Sequence, residues 1–586
     1  MPGFDKKCVF PVSAYLFPSL TALIFIQICF LFLPFISGRS VVFNDYVNIP
    51  EETLLGGVYT GNQRIMSMAN AGEDLSGAKK EFFLKNSHEL SFQAQCGWFM
   101  HHHFALLSAV NQFSGGRRID EINQQYGMLV TVMLSAVLKM SGGVTLDGYL
   151  RVLYSFFPFY YLIVFLAALY IFRDFKYVFL VALFSALMLL KLSYTSINLA
   201  PGFNPVRQLF LPVILVFLWL FLKSGRPLTL LLTAAFSLIN VLNNKEFGLC
   251  AVIALLITLA VKSFLEGGSR KVWILGVLSL TLFLAFLLIF RMQAGNNSLS
   301  KYYMAGISGP LIGRKVLTAI FLWISAAYFL IIRLLRVKGE LKYLAVFLFI
   351  YFQGILVYFI WNPAPNHFYS IAVPLIFLAA ALLKLIMDNS RIDKYRDAVF
   401  YFITLIIIAF FYLPAWRAYR ADYANYKKTA DNHRIYKWDL QKARIYSTMD
   451  PRPFSDAVRL INKYSPAAKS IYIISQYDNL LALLADKYSA MPFDEVAISL
   501  VTVKEVEACA RRIAADNPEY IFVDTGIGEG IYEKSNPAVA YLAGQFDLSA
   551  KLKMWGELKK VYLEVINSYE LAEKSDIISV YKKKRL

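Results

Sequence analysis

Residues 148–193 read GYLRVLYSFFPFYYLIVFLAALYIFRDFKYVFLVALFSALMLLKLS, and this stretch decides the fold class. It contains two apolar runs, 148–171 and 176–193, which are separated only by a short charged segment. A helix needs roughly 20 apolar residues to cross the hydrocarbon core of a bilayer, and each run approaches that length. The stretch therefore predicts two neighbouring transmembrane helices.

Similar apolar runs occur on both sides of this stretch. The composition agrees with a membrane location, because 58% of the 586 residues are hydrophobic and only 17% are charged, unlike an ordinary soluble domain. We therefore predict a polytopic α-helical membrane protein with about eleven transmembrane helices. The predicted spans are 15–37, 148–171, 176–193, 208–222, 228–243, 247–264, 272–291, 315–335, 343–361, 368–387 and 397–416.

The basic residues set the predicted orientation. A formal net charge of +19 would suggest nucleic-acid binding in a soluble chain, but here Lys and Arg cluster at the ends of apolar runs. They are most frequent in the segments that lie inside if the N-terminus is cytoplasmic. The short outer loops then hold Arg207, Lys245, Arg291, Lys301, Arg314 and Lys315. We predict an integral protein of a bacterial inner or plasma membrane, with no nucleic-acid partner.

This orientation divides the chain into two predicted domains. Residues 1–416 form a transmembrane domain, which includes a first exoplasmic loop at 38–147. Within that loop, the apolar segment 128–140 is too short to span and is predicted to be a juxtamembrane helix at the interface. Residues 417–586 form an exoplasmic or periplasmic domain.

The composition of 417–586 predicts a small α/β domain. It is polar to about residue 453, and then helical and strand-like patterns alternate. No glycine-rich phosphate loop or nucleophile elbow is present, which favours a support or acceptor-docking module over a second active site. The predicted elements are helices at 454–464, 478–487, 503–517 and about 536–542, and strands at 470–475, 520–524 and 577–581.

The first outer loop begins with the candidate catalytic acid. Asn44 and Asp45 follow the first predicted helix by a few residues, at the depth where a lipid headgroup would lie. A carboxylate in that position can act on a lipid-linked substrate. The alternative is that Asp45 is an exposed loop acid or a helix cap.

Three consecutive histidines, His101 to His103, lie later in the same loop within an apolar sequence. Consecutive residues on a helix point about 100° apart, so the three imidazoles cannot bind one metal from a single face. We consider a structural or interfacial role and, for His102 and His103, a phosphate or substrate contact. Metal ligation is the third alternative.

A basic turn and a polar motif follow. Arg117 and Arg118 come after two glycines, and guanidinium groups are suited to bidentate phosphate recognition. The alternative is that they meet anionic lipid headgroups. The motif Gln125-Tyr126-Gly127 leads into the juxtamembrane helix, and Tyr126 is a candidate for the substrate pocket.

Further polar residues of the outer face are candidates for the same pocket. Arg207 is costly to place near lipid without a partner, and so is the pair Lys245 and Glu246, which could also pair with one another. Arg207 and Lys245 are our first choices for binding a donor phosphate, with Arg117 and Arg118 as alternatives. The remaining pocket candidates are Tyr302, Asn366 and His367.

Taken together, this layout resembles the GT-C superfamily of glycosyltransferases. The resemblance covers roughly residues 1–416 and rests on the Asn44-Asp45 motif, the Gln-Tyr-Gly motif before an amphipathic helix, and Arg151 and Arg173 near the two ends of the following helix. It implies a polyprenyl-phosphate-linked sugar donor, a glycan or lipid acceptor, and Asp45 as the general base.

The resemblance also bears on cofactors. Members of the superfamily often carry two acids in this motif, whereas here Asn44 precedes Asp45. A single carboxylate is a poor divalent site, so no cofactor is predicted and a divalent metal is not favoured. The five cysteines show no metal-like spacing.

Two other functions fit a chain with many spans. A polysaccharide polymerase or ligase also combines many helices with a large outer loop, but it should favour a basic pair over an acid near the first helix. A transporter or flippase should show paired repeats and charges at mid-membrane. The predicted spans carry almost no central charge apart from Lys191, which argues against transport.

Overall fold

The protein is mostly helical in the computed structural model, which describes residues 13–39, 100–122, 124, 126–192, 201, 204–266, 271–293, 336–361, 371–389, 395–431, 434–475, 477–493, 503–525, 557, 559–565 and 567–585. The helices before the C-terminal region are α1 (Ser13–Ile36), α2 (Ala105–Ser114), α3 (Met128–Met140), α4 (Leu146–Phe172), α5 (Phe175–Lys191), α6 (Asn204–Arg207), α7 (Leu211–Ser224), α8 (Pro227–Asn243), α9 (Lys245–Glu266), α10 (Lys271–Gln293), α11 (Leu341–Trp361), α12 (Ala372–Asn389), α13 (Arg396–Ile407) and α14 (Leu413–Asp431). A π-helical turn, Ile408–Tyr412, joins α13 to α14.

Several of these helices are suited to a membrane. Among the described residues, five helical segments are long and apolar enough to cross one: Tyr15–Ile36, Leu146–Phe172, Lys245–Glu266, Ala372–Asn389 and Arg396–Lys428. Ten of the eleven predicted spans coincide with described helices, and the other, 315–335, lies outside the described residues. The structure supports a polytopic membrane protein, and the number of eleven spans stays a prediction.

The sequence explains where two of these helices meet. α4 ends at Phe172, and the next residue, Arg173, has a φ of 52° in the left-handed region. Asp174 then caps α5, because its side chain accepts a hydrogen bond from the Lys176 backbone N–H at 2.9 Å. The two predicted neighbouring helices are thus confirmed, joined by a two-residue turn.

Aromatic contacts hold α1 against α4 and α5. The rings of Phe17 and Phe179 lie 5.5 Å apart, and those of Phe32 and Phe157 lie 4.6 Å apart. Phe35, near the C-terminal end of α1, stacks on Tyr154 of α4 at 4.7 Å. Aromatic pairs at these distances add to the free energy of burial. They place the end of α1, from which the first loop departs, beside the N-terminal third of α4.

The last apolar helix continues into the polar region. α14 runs to Asp431, beyond the predicted end of the last span at residue 416. Residues 417–431 contain neither Gly nor Pro and are rich in Ala, Arg and Lys, so their helix propensity is high despite their polarity. Tyr419 and Tyr426, seven residues apart, are both buried and mark the packed face.

The C-terminal region is an α/β unit. Its elements are β1 (Tyr436–Lys437), β2 (Tyr446–Ser447), α15 (Pro451–Tyr464), β3 (Ser470–Ile471), β4 (Ile473–Ile474), α16 (Asp478–Leu484), β5 (Tyr488–Ser489), α17 (Val503–Asp516), β6 (Tyr520–Asp524), β7 (Tyr569–Lys574) and β8 (Ile578–Lys583). One sheet has the order β4-β6-β8-β7, and β3 pairs in parallel with β5. The β4–β6 pair is parallel, whereas β6–β8 and β7–β8 are antiparallel.

Most of the predicted C-terminal elements are confirmed. Helices are present at three of the four predicted places, and strands are present at all three. The predicted helix at 536–542 lies outside the described residues. The sequence did not reveal β7, because Tyr-Glu-Leu-Ala-Glu-Lys is a helix-like composition. This strand lies at the edge of the sheet, where charged side chains are tolerated.

Candidate active site

The histidine run forms a wide turn before α2. Residues Met100–Phe104 are π-helical, and two of the imidazoles contact different tyrosines. His102 Nδ1 lies 2.7 Å from the Tyr126 hydroxyl, whereas His103 Nε2 lies 3.2 Å from the Tyr154 hydroxyl. This divergence agrees with the expectation that adjacent histidines cannot converge on one point from a helix.

His103 is the structural member of the pair. Its side chain is fully buried, and its ring meets the Tyr149 ring edge-on at 5.8 Å. The Tyr149 hydroxyl donates to the His103 backbone carbonyl at 3.3 Å. Because Tyr154 also stacks on Phe35, this cluster ties the histidine run to the end of α1. His103 therefore positions the loop against two helices.

Tyr126 links the first loop to Arg207. The Arg207 guanidinium lies 5.4 Å from the centroid of the Tyr126 ring and 5.9 Å from that of Phe247, at the start of α9. Only 3% of Arg207 is exposed. Cation–π contacts of this kind offset part of the free-energy cost of burying a charge. The structure therefore brings together three predicted site residues: His102, Tyr126 and Arg207.

Gly127 allows this arrangement through its lack of a side chain. Its φ is +121°, and a Cβ atom built on it would lie 1.4 Å from the backbone oxygen of Asn243, the last residue of α8. The Asn243 side-chain amide donates to the Val206 carbonyl at 2.9 Å. The end of α8 thus fixes both the residue after Tyr126 and the residue before Arg207, which explains the glycine of the Gln-Tyr-Gly motif.

Lys245 and Glu246 lie on the first turn of α9, next to Phe247. The side-chain oxygen of Asn244 accepts a hydrogen bond from the Phe247 backbone N–H at 3.0 Å and so caps the helix. Both Lys245 and Glu246 are half-buried. They lie within two residues of the ring that contacts Arg207, at the same end of the helix bundle.

Arg117 and Arg118 make other contacts. Arg117 donates to the side-chain oxygen of Gln112 at 2.6 Å and to the Ser489 carbonyl at 3.3 Å. Arg118 pairs with Asp120 at 2.9 Å, and 73% of its side chain is exposed. Arg117 therefore joins the loop to the C-terminal region, and Arg118 belongs to a surface ion pair.

The first loop and the C-terminal region contact each other over α2. The Asn111 side-chain amide donates to the Lys487 carbonyl at 2.7 Å. A Cβ atom on Gly115 would lie 2.9 Å from the Tyr488 ring, so Gly is needed there for close packing. At the start of α4, the Leu146 backbone N–H donates to the Lys442 carbonyl at 2.8 Å. The first two contacts hold α2, the helix that follows the histidine run, beside β5, and the third joins the start of α4 to the segment between β1 and β2.

Five predicted site residues, namely Asn44, Asp45, Tyr302, Asn366 and His367, lie outside the described residues. Their roles stay predictions. In the part of the chain that the structure describes, no three His, Cys, Asp or Glu side chains are grouped as a metal ion would require. The expectation about metals concerns Asp45 and is therefore untested.

The sequence did not single out Tyr149, Tyr154 or Phe247 as site residues. All three lie near the predicted outer ends of spans, where aromatic residues are common, and this abundance hid them. The sequence feature that could have indicated these three residues is their spacing. Tyr149 and Tyr154 lie five residues apart near the start of α4, and Phe247 directly follows the Lys245-Glu246 pair.

No protein-family model and no curated protein matches the chain. Among solved structures, the chain is similar to the crystal structure of the Archaeoglobus fulgidus oligosaccharyltransferase in complex with zinc and sulfate, with 12% sequence identity and a TM-score of 0.37. The match covers 74% of this chain and 64% of the archaeal one. At this identity and TM-score, it establishes neither a family nor an activity for the protein.

Proposed function

We propose that the protein is an inverting glycosyltransferase of the membrane. It transfers a sugar from a polyprenyl-phosphate donor to an exoplasmic glycan or lipid acceptor. The observation that carries this proposal is the buried Arg207 guanidinium between Tyr126 and Phe247. A buried, oriented cation at the end of a helix bundle is suited to an anionic headgroup whose apolar chain lies in the bilayer.

The chemistry assigns different tasks to the two sides of the reaction. As the acceptor oxygen attacks the anomeric carbon, the bond from that carbon to the phosphate oxygen breaks, and the lipid phosphate leaves with the bonding pair. Negative charge therefore grows on the phosphate. Arg207 and Lys245 would stabilise it, because fixed cations in a water-poor site lower the energy of such a transition state.

Tyr126 and His102 would keep the cation in place. The tyrosine ring contacts the guanidinium, and its hydroxyl contacts His102 at 2.7 Å. An arginine held from two sides loses little conformational entropy when it binds phosphate. This pre-organisation favours the reaction without contact between His102 and substrate.

Asp45 would remove the proton from the acceptor hydroxyl. Its assignment comes from its position beyond the first helix and from the resemblance to GT-C enzymes. It follows Ile36, the end of α1, by nine residues, and an extended chain of that length reaches about 30 Å. Phe35 stacks on Tyr154, and Tyr154 contacts His103. The covalent chain therefore allows Asp45 to reach the Arg207 cluster.

The test compares two acids of the same loop. Cells that lack the protein should accumulate an unmodified acceptor glycan and an unused lipid-linked donor, both measurable by mass spectrometry. The wild-type gene and Asp120→Asn should restore the mature glycan, because Asp120 belongs to the exposed pair with Arg118. Asp45→Asn should not restore it at equal protein abundance, because an amide is a poor proton acceptor.

One result would reject the whole proposal, and another would reject the role of Asp45. Normal glycans in cells without the protein would exclude the activity. Full restoration by Asp45→Asn would exclude Asp45 as the base while leaving the phosphate site to be tested through Arg207.

A further inference from the structure

The order in which the chain adds strands to the C-terminal sheet reverses between β4 and β6. β3 and β4 are consecutive parts of one strand, separated only by Tyr472; β5 pairs with the first part and β6 with the second, both in parallel. The chain passes from this strand through α16 to β5 on one side, and then through α17 to β6 on the other. In open α/β sheets, such a reversal leaves a crevice at the carboxyl ends of the two strands, where ligands bind.

Polar side chains lie at this carboxyl edge. Ser475 follows β4, Asp524 ends β6, and the Ser475 hydroxyl donates to the Asp524 carboxylate at 2.7 Å. Both residues are buried. The Tyr477 backbone N–H donates to the Ser475 hydroxyl at 3.1 Å, which fixes the turn that leaves β4. The two strands thus end in a buried, hydrogen-bonded polar pair.

α16, the helix that follows this turn, begins with two buried polar residues, Asp478 and Asn479. Asn479 is 5% exposed, and among the residues that the structure describes neither its side-chain nitrogen nor its side-chain oxygen has a hydrogen-bond partner. Its neighbour Asp478 is also buried and accepts a hydrogen bond from the Asn479 backbone N–H at 2.6 Å. A buried amide left without partners lowers stability, and nearly all such groups in proteins are satisfied by protein, water or ligand.

We propose that this edge binds hydroxyl groups of a saccharide. The four side chains Ser475, Asp478, Asn479 and Asp524 can accept hydrogen bonds from sugar hydroxyls, and the Asn479 amide can also donate one. None of the four is a cation, so the set is not suited to a phosphate. Sugar hydroxyls both donate and accept, and therefore match an amide beside carboxylates.

The position of the site links it to the proposed transferase. α16 leaves the carboxyl end of β4 and contacts α2, the helix that directly follows the histidine run. A saccharide bound at the edge of β4 and β6 would therefore be the acceptor glycan of the reaction. This last assignment rests on the proposed function, whereas saccharide binding itself does not.

Binding can be measured without catalysis. Full-length protein in lipid nanodiscs is applied to an array of glucose-, galactose- and mannose-containing oligosaccharides and to a matching array of unmodified peptides. The wild type should bind at least one oligosaccharide class. Asn479→Leu should lower the apparent affinity at least about tenfold, because a site built to hydrogen-bond a hydroxyl loses these bonds.

Two further variants make the result specific. Asn462→Leu makes the same change on the exposed side of α15 and should bind as the wild type does. Asn479→Asp keeps the shape of the side chain but removes its hydrogen-bond donor, so it should also weaken binding. This variant tests the site if Asn479→Leu fails to fold. Melting temperatures of all variants identify folding failures.

The possible outcomes separate this inference from the proposed function. Three results would overturn the inference, even if the protein transfers sugar. They are a wild type that binds no saccharide, Asn479 variants that both bind as the wild type does, and a protein that binds peptides instead. Binding that both Asn479 variants lose, and that Asp45→Asn retains, would support it even if no transfer is found.

Discussion

Two parts of the first loop are each associated with an arginine, Arg118 within the loop and Arg207 outside it, yet the two arginines have different surroundings. In the turn Gly115 to Arg118, the guanidinium of Arg118 pairs with Asp120 at the surface. In the other part, Tyr126 and Gly127 pack against the ends of α8 and α9 and bury Arg207. The comparison shows that the same residue type occupies two different environments, one exposed and one buried. Arg207 is buried between the rings of Tyr126 and Phe247, whereas the Arg118 side chain is exposed.

The largest expected difference concerns the glycines. Gly127→Ala should lower the free energy of unfolding by more than about 4 kcal/mol or prevent folding, because the new Cβ cannot avoid the Asn243 oxygen. Gly116→Ala should cost only about 1–2 kcal/mol, since Gly116 also has a positive φ but no atom of the described residues lies within 4 Å of its Cβ position. Thermal unfolding in detergent measures both, and equal losses would contradict the comparison.

The next largest difference is expected between the transfer rates of variants of the two arginines. Arg207→Gln should reduce the transfer rate about 100- to 1,000-fold at an unchanged fold, as expected when one charge-stabilising group is removed. Arg118→Gln should stay within about twofold of the wild type, because an exposed ion pair contributes little. The rate with a purified lipid-linked donor is the measurement. A large loss in Arg118→Gln together with an active Arg207→Gln would exchange the roles of the two residues.

A smaller effect should come from the Tyr126 ring. Tyr126→Phe removes the hydroxyl that contacts His102 but keeps the ring that faces Arg207, whereas Tyr126→Leu removes both. The leucine variant should therefore be slower than the phenylalanine variant by about 3- to 30-fold, the usual value of one cation–π contact. Equal rates of the two variants would show that the ring does not orient the guanidinium.

Much of this fold could be predicted from the sequence, because hydrophobic length and charge placement act locally. The helix at Met128–Met140 and the strand at Tyr520–Asp524 have the bounds that the patterns indicate. The end of α14 could not be predicted in this way. Polarity is a poor guide to the end of a helix whose polar part, residues 417–431, contains neither Gly nor Pro and is rich in Ala, Arg and Lys.

The candidate site was less accessible to sequence reasoning. The residue types of Arg207 and Tyr126 indicate a site, but their contact joins segments that are 81 positions apart and depends on Gly127. Tyr154 and Phe247 could not be distinguished from many other aromatic residues near span ends. Contacts between distant segments are set by packing, and a single sequence records them only indirectly.

The hydrogen bond from Asn111 to the Lys487 carbonyl joins residues 376 positions apart. During synthesis, α2 emerges long before β5 exists, although most of its residues are buried in the finished protein. α3 follows directly and packs against α2, but the part of the α2 surface that contacts α16 and β5 must stay uncovered until residue 489 has been synthesised. Such non-local pairing slows folding, and it exposes the nascent chain to proteases and makes it dependent on chaperones.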